Sequence, residues 1–169
     1  MDADSSLFLD LAAIAGIFVG FGSLIIFSRG DQAGEADLHM LRGVATAGLL
    51  ALVAGLLPVA LAGFGLEGRA LWMSCSAIVL ITIWFALLHP SFRPVLVAQM
   101  RYNRGAALFF WVFLELPIQL PLVLILVGAF SEHAAALYVA SLIVHLFESA
   151  QLLVQVVFAR VRRANVAER

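Results

Sequence analysis

Charged residues are scarce in this sequence. Only 12% of the 169 residues are charged, whereas 63% are hydrophobic and the mean hydropathy is +1.05. A soluble domain is typically about 25% charged and about 45–50% apolar, so water would not solvate the surface of such a chain. The net charge is −1 and no long basic tract is present, which argues against nucleic-acid binding. The composition therefore indicates a polytopic membrane protein.

Cysteine and the common catalytic signatures are also rare or missing. Cys75 is the single cysteine, so no internal disulfide is available, and no Cys/His spacing suits zinc. The sequence contains no GxSxG, HExxH or P-loop motif. We therefore expect neither an enzyme nor a bound cofactor or metal, and we interpret Cys75 as a small core residue.

Five apolar stretches are long enough to cross a bilayer as helices, which takes about 20 residues each. They cover residues 7–27, 41–66, 70–88, 106–130 and 134–158. None alternates as a membrane β-strand does, and a helix satisfies its backbone polar groups internally, as lipid requires. The sequence predicts an all-α fold, in which residues 1–169 form one transmembrane domain, a bundle of five transmembrane helices.

The arginines predict the orientation of this bundle. With five spans, nine of the ten arginines fall on the face that carries the C-terminus, and Arg69 alone falls on the other. Positively charged loops stay in the cytoplasm, so we expect the N-terminus outside and the C-terminus inside. The connections at about 28–40 and 89–105 would then be cytoplasmic, and tight turns at 63–69 and 130–133 would lie outside. The first stretch opens on acidic residues rather than on the positive charge of a signal peptide, and we expect it to remain as a span. The expected location is the plasma (inner) membrane of a bacterium.

Small residues predict where helices pack closely. The first stretch contains a GxxxG pair, Gly16 and Gly20, and the second contains Gly48 and Gly55 seven residues apart. Glycines permit close approach of helices in lipid, where apolar burial gives no drive to associate. Contacts within one chain and contacts between subunits both fit this pattern.

Three prolines inside the apolar stretches, Pro58, Pro117 and Pro121, are expected to kink their helices because proline lacks the N–H of the helical hydrogen bond. Pro117 and Pro121 lie four residues apart in the fourth stretch. A helix broken in this way exposes backbone oxygens to an ion in some transporters. An ordinary kinked membrane helix fits the same residues.

Ionisable side chains near mid-membrane are the main functional signal. They cost at least about 2.5–3.5 kcal/mol each and normally face protein or water. Glu115 lies about 15 Å of helix rise into its span and His145 and Glu148 about 17–21 Å into theirs, from the opposite face, so we expect the three to meet. Polar residues at helical spacing extend the set. The predicted ion or proton site comprises Glu115, Gln119, His145, Glu148, Gln151 and Gln155.

These features predict a homo-oligomeric ion channel or proton-linked permeation protein, in which the carboxylates favour a cation or a proton. Its partners would be the lipid bilayer, further copies of the chain, and the cation or proton. Two alternatives remain open. One is a non-transporting accessory or scaffold subunit whose buried polar residues are structural. The other is a membrane-embedded metal or redox protein, for which His145-x-x-Glu148 is a single, reversed copy of the Glu-x-x-His of di-iron bundles.

Overall fold

The computed structural model describes residues 2–27, 35–89, 105, 108 and 111–167, with side chains for 5–25, 43–89, 105, 108 and 111–154. Of the two connections expected in the cytoplasm, at 28–40 and 89–105, residues 28–34 and 90–104 lie outside the described residues, as does the side chain of Gln155.

All regular secondary structure within these ranges is helical, which confirms the all-α class. The long runs of apolar residues explain this, because a helix bonds its own backbone and leaves only side chains to the surroundings. A π-helical turn precedes the fourth helix, and a short 3₁₀ turn, Ser131–His133, precedes the fifth. The elements are α1 (Asp2–Phe27), α2 (Glu35–Gly63), α3 (Gly68–Leu88), the π-turn (Trp111–Glu115), α4 (Leu116–Leu126) and α5 (Ala134–Ala167).

Four segments are long and apolar enough to cross a membrane: Ser5–Ile25, Gly43–Gly63, Gly68–Leu88 and Ser131–Val154. Between 22% and 39% of each segment's most apolar window is buried inside the chain, so most of their apolar surface faces outward. Such a surface suits lipid rather than water, and the helices are apolar enough to indicate an integral membrane protein.

The fourth predicted stretch differs from the other four. Within 106–130 the structure describes a shorter apolar helix, Trp111–Leu126, and residues 106, 107, 109 and 110 lie outside the description. Among the described residues, four helices rather than the five expected are therefore long and apolar enough to span a membrane. Pro117 falls in the first turn of α4, directly after the π-turn, and Pro121 lies inside α4. A proline supplies no N–H, and π-turns are a common adjustment of a helix at such points.

The turn between α2 and α3 ends α2 with a hydrogen-bonded cap. Leu66 N donates to Leu61 O (3.1 Å), Gly65 N donates to Ala62 O (2.9 Å), and Gly65 has φ +85°. These two bonds form a Schellman motif, which requires a left-handed residue and therefore favours glycine. The tight turn predicted at 63–69 is explained by this cap.

The turn after α4 lies at the same end of the bundle. Gly128 has φ +76°, and the guanidinium of Arg69 lies directly against it. Contact between the start of α3 and the end of α4 makes these two helices antiparallel neighbours. The hairpins predicted on one face, at 63–69 and 130–133, are thus at one end of the bundle.

α5 is the central helix, because it packs against all four of the others. α2 packs against α1, α3 and α5, and α4 packs against α3 and α5. The core between them is formed largely by Ala51, Cys75, Ile118, Leu122 and Tyr138, all nearly inaccessible. This arrangement places the middle of α5 deep inside the chain.

The closest helix contact is between α1 and α2. A Cβ at Gly55 would lie 3.1–3.3 Å from Ala12 Cβ, N and Cα, and one at Gly48 would lie 2.9 Å from Val19 Cγ2. Glycine at these two positions therefore permits the approach of the α1 backbone.

The GxxxG pair of α1 contributes less to this interface. A Cβ at Gly16 would make an ordinary 3.5 Å contact with Leu52 Cδ1, whereas one at Gly20 would have no heavy atom within 4 Å in the described part of the chain. Gly20 is exposed on the outer surface of α1.

Candidate functional site

The candidate site lies where the π-turn and α4 face the middle of α5. Glu115 is 5% exposed, His145 7% and Glu148 5%. Glu115 lies close enough to both Glu148 and His145 to interact with them electrostatically. The structure therefore brings together the three ionisable residues that the sequence places at similar depth.

Gln119 extends this cluster on α4. Its Nε2 donates a hydrogen bond to Glu115 Oε2 at 2.7 Å, across one helical turn. The four-residue spacing puts the two side chains on one face. An amide donor at this distance stabilises a carboxylate that has been removed from water.

His145 and Glu148 form the α5 part of the cluster. His145 Nδ1 lies 3.3 Å from Glu148 Oε2, a separation at which a protonated imidazole forms an ion pair. The orientation does not satisfy hydrogen-bond geometry, and neither ring nitrogen of His145 has a hydrogen-bond partner among the described residues. A buried imidazole without a partner is unusual in a folded protein.

Two serines anchor α5 around this histidine. Ser141 Oγ donates to Ile118 O at 2.7 Å and thereby ties α5 to α4, between the two prolines of that helix. Ser149 Oγ donates to His145 O at 3.1 Å, within α5. Both hydroxyls are buried, and both satisfy their donors on backbone carbonyls.

Tyr138 ties α5 to α2. Its hydroxyl donates to Ala54 O at 2.7 Å. Pro58 lies four residues after Ala54 inside α2 and supplies no N–H to that carbonyl. The tyrosine therefore takes the place of the missing helical donor.

Tyr138 forms an aromatic trio with Phe8 and Trp72. The ring centroid of Phe8 lies 5.7 Å from that of Trp72 and 6.1 Å from that of Tyr138, and the Trp72 and Tyr138 centroids are 5.7 Å apart. These separations are those of favourable tilted and edge-to-face ring pairs. The trio joins α1, α3 and α5.

Two spaces border the aromatic trio. A cavity of about 10 Å³ lies on the His145 side and includes Tyr138 and Ser141 in its lining. A groove of about 330 Å³ lies on the other side and includes Phe8, Trp72 and Glu67 in its lining. We call these the His145 cavity and the Glu67 groove.

The structure describes the two remaining predicted site residues, Gln151 and Gln155, in less detail. Gln151 is half-buried and lies three residues beyond Glu148 on the same face of α5. For Gln155 only the backbone is described. Within the described ranges, no three His, Cys, Asp or Glu side chains are grouped so as to hold a metal ion.

The sequence reasoning missed Tyr138 as part of this region. A signal was present, because a proline inside an apolar helix implies a carbonyl four residues earlier that needs another donor. The sequence does not reveal which hydroxyl reaches it. No family model, curated protein or solved structure matches this chain.

Proposed function

We propose that this protein is an integral membrane protein that moves protons, or a small cation, through a site formed by Glu115, His145 and Glu148. The observation that carries the proposal is the burial of two carboxyl groups and one imidazole in one place, each at most 7% exposed. Intramembrane ionisable residues of this kind mark proton relays and ion pathways in membrane proteins.

The charges of the cluster support a proton or cation as the ligand. Two ionised carboxylates repel each other in a medium of low dielectric. Glu115 and Glu148 interact electrostatically, and Arg69, the arginine whose side chain the structure describes, lies against Gly128 instead. A proton or cation shared between the two carboxyl groups removes this repulsion. Two buried amide side chains could join the helices equally well without any charge to neutralise, so the choice of carboxyl groups favours a role in binding a proton or cation.

Polar residues on α5 give the direction of the proposed path. Tyr138, Ser141, His145, Glu148 and Gln151 follow one another at spacings of three or four residues, so they share one face of the helix. From the first to the last, the helix rises about 20 Å, which is roughly two thirds of a bilayer core about 30 Å thick.

Orientation and assembly complete the proposal. The N-terminus lies outside and the C-terminus in the cytoplasm, in the inner membrane of a bacterium. Each chain contains its own cluster, and several copies form a homo-oligomer. The exposed Gly20 on α1 supports assembly, because a second helix can approach a surface glycine closely.

A non-transporting scaffold is the second candidate function. The hydrogen bond from Gln119 to Glu115 favours it, because a satisfied polar pair also serves to hold a helix turn in place. Flux and stability measured on the same variants separate the two functions.

The test is proton and cation flux in proteoliposomes from pH 5 to 8. Purified protein is compared with Glu148→Gln and Glu115→Gln, which remove a charge and preserve the shape of the side chain. Glu132→Gln is the matched control, because Glu132 is exposed in the turn before α5. Circular dichroism and gel filtration establish that each variant is folded.

We expect flux in the parent and in Glu132→Gln, and at least a tenfold lower flux in the two buried variants. No flux in the parent at any pH or voltage would overturn the proposal. If the buried variants then also lowered the unfolding temperature, the scaffold function would be supported instead.

A further inference from the structure

The His145 cavity lies between four helices, because its lining residues come from α2, α3, α4 and α5. Its volume of about 10 Å³ is close to the space that a single water molecule requires. The apolar part of the lining includes Val79 and Leu142, and the polar part is formed by Tyr138, Ser141 and His145. The cavity is therefore both small enough and polar enough for one ordered water.

The hydrogen-bonding state of these three polar groups points to the same ligand. The Tyr138 and Ser141 hydroxyls donate to Ala54 O and Ile118 O, so each has lone pairs left to accept. The side chain of His145 is 10% exposed, and both of its ring nitrogens lack a hydrogen-bond partner in the described structure. A buried water normally makes about three hydrogen bonds to polar groups of this kind.

We propose that the His145 cavity binds one water molecule, which donates one hydrogen bond to His145 Nε2 and the other to the hydroxyl oxygen of Ser141 or Tyr138, and which delivers protons to the His145–Glu148 pair. This inference rests on the proposed function, since it names the proton donor of the same site. Nδ1 of His145 faces Glu148. We therefore assign the other ring nitrogen, Nε2, to the water in the cavity.

The proton transfer is balanced without any other reactant. A proton arriving at the water forms a new O–H bond, and the water passes one proton to His145 Nε2 as an O–H bond breaks and an N–H bond forms. The imidazolium then releases its Nδ1 proton to the ionised carboxylate of Glu148, 3.3 Å away. One proton has then moved from the water to Glu148, and the neutral ring carries its remaining proton on Nε2.

The aromatic trio borders this water site. Phe8 and Trp72 line the Glu67 groove, whereas Tyr138 lines the cavity. The three rings pack against one another, so the trio joins the lining of the cavity to the lining of the groove.

The first experiment fills the cavity, in one of its two variants without touching a polar group. Val79→Ile adds one methylene to an apolar wall of the cavity, and Val123→Ile makes the same change on the exposed surface of α4. Ser141→Val is a second filling variant, in case the isoleucine turns away from the cavity. We expect proton flux to fall at least tenfold in Val79→Ile or Ser141→Val and to remain unchanged in Val123→Ile.

A second measurement reports the water directly, whether or not protons are transported. ¹⁵N-histidine NMR in lipid, with His39, His89 and His133 replaced by glutamine, leaves His145 as the single observed ring. We expect a magnetisation-transfer peak between water and the His145 ring nitrogen in the parent and in Val123→Ile. The peak should be lost in the filled variants.

The two measurements separate the two proposals. A water peak that is present in the parent and lost in Val79→Ile, without any flux, would overturn the proposed function and leave the water site standing. Flux in the parent that is unchanged in both folded filling variants, or a His145 ring with no water peak, would overturn the water site alone.

Discussion

The hydroxyl of Tyr138 donates a 2.7 Å hydrogen bond to the carbonyl of Ala54, which Pro58 deprives of its helical donor. The two residues are 84 positions apart in sequence. A proline inside an apolar helix leaves a carbonyl that lipid cannot satisfy, and another part of the protein must supply the donor. The tyrosine of the central helix supplies it here, and α2 continues through Pro58 to Gly63.

Replacing Tyr138 by phenylalanine should therefore destabilise the protein. Tyr138→Phe keeps the aromatic ring but leaves the buried Ala54 carbonyl without a donor, and we expect a loss of about 1–3 kcal/mol in the free energy of unfolding. Denaturant titration in detergent measures this loss.

The double variant Tyr138→Phe/Pro58→Ala provides the control for this effect. The alanine restores a backbone N–H to α2, so removal of the tyrosine hydroxyl should matter less in its presence. We expect a coupling free energy of about 1 kcal/mol in the double-mutant cycle. Strictly additive effects would contradict the assigned role of the hydroxyl.

The contact between α1 and α2 predicts different effects of the same substitution at two glycines. Gly55→Ala brings a Cβ within 3.1–3.3 Å of Ala12, including its backbone, so we expect destabilisation of about 1–3 kcal/mol from overpacking. Within a single chain, Gly20→Ala meets no described atom, so in detergent that keeps the chains apart it should be neutral or stabilising by up to about 1 kcal/mol, because alanine favours the helix. Equal unfolding temperatures for the two variants would contradict this interface.

The turn glycines provide a third comparison. Gly65 and Gly128 both have positive φ, so alanine at either position should destabilise the protein by about 1–2 kcal/mol. At Gly128 the added Cβ would displace the Arg69 guanidinium, which is the flexible end of a long side chain and can shift at little cost, and the surroundings of Gly65 are open within 4 Å. Thermal unfolding should therefore show similar losses for Gly65→Ala and Gly128→Ala. An extra loss in Gly128→Ala that Arg69→Ala removes would contradict this expectation.

Cys75 provides a probe of global unfolding. Its side chain is fully buried, so a maleimide should label the native protein slowly and the denatured protein fast. The matched control places the thiol in the exposed turn before α5, as Cys75→Ser/Ser131→Cys, and this variant should be labelled at once. Rapid labelling of native Cys75 would show that the core around it is open.

Much of the helical architecture could be predicted from the apolar runs. The stretch expected at 70–88 corresponds to α3 at Gly68–Leu88, and the stretch expected at 134 begins where α5 begins. The fourth stretch was predicted less well, because hydropathy does not register the π-turn ending at Glu115 or the prolines of α4. The orientation, the bilayer location and the ion site remain predictions.

The candidate site could likewise be predicted only in part from the sequence. Helical spacing placed His145 and Glu148 on one face, and counting the helix rise placed Glu115 at their depth. Neither argument could reveal that the ring nitrogens of His145 lack a hydrogen-bond partner among the described residues. The role of Tyr138 was also beyond reach, because it depends on how α5 lies against α2.

Composition and the length of the apolar runs are enough to establish that the chain is helical and apolar, since they decide which solvent suits each segment. The helical period also fixes which faces carry small or polar residues. Which of these faces meet is visible in the folded protein alone. Helix pairing depends on complementary shapes and on hydrogen bonds between residues that are far apart in sequence. Examples are the packing of Ala12 against Gly55 and the hydrogen bond from Tyr138 to Ala54 O. These relations are absent from any local stretch of sequence.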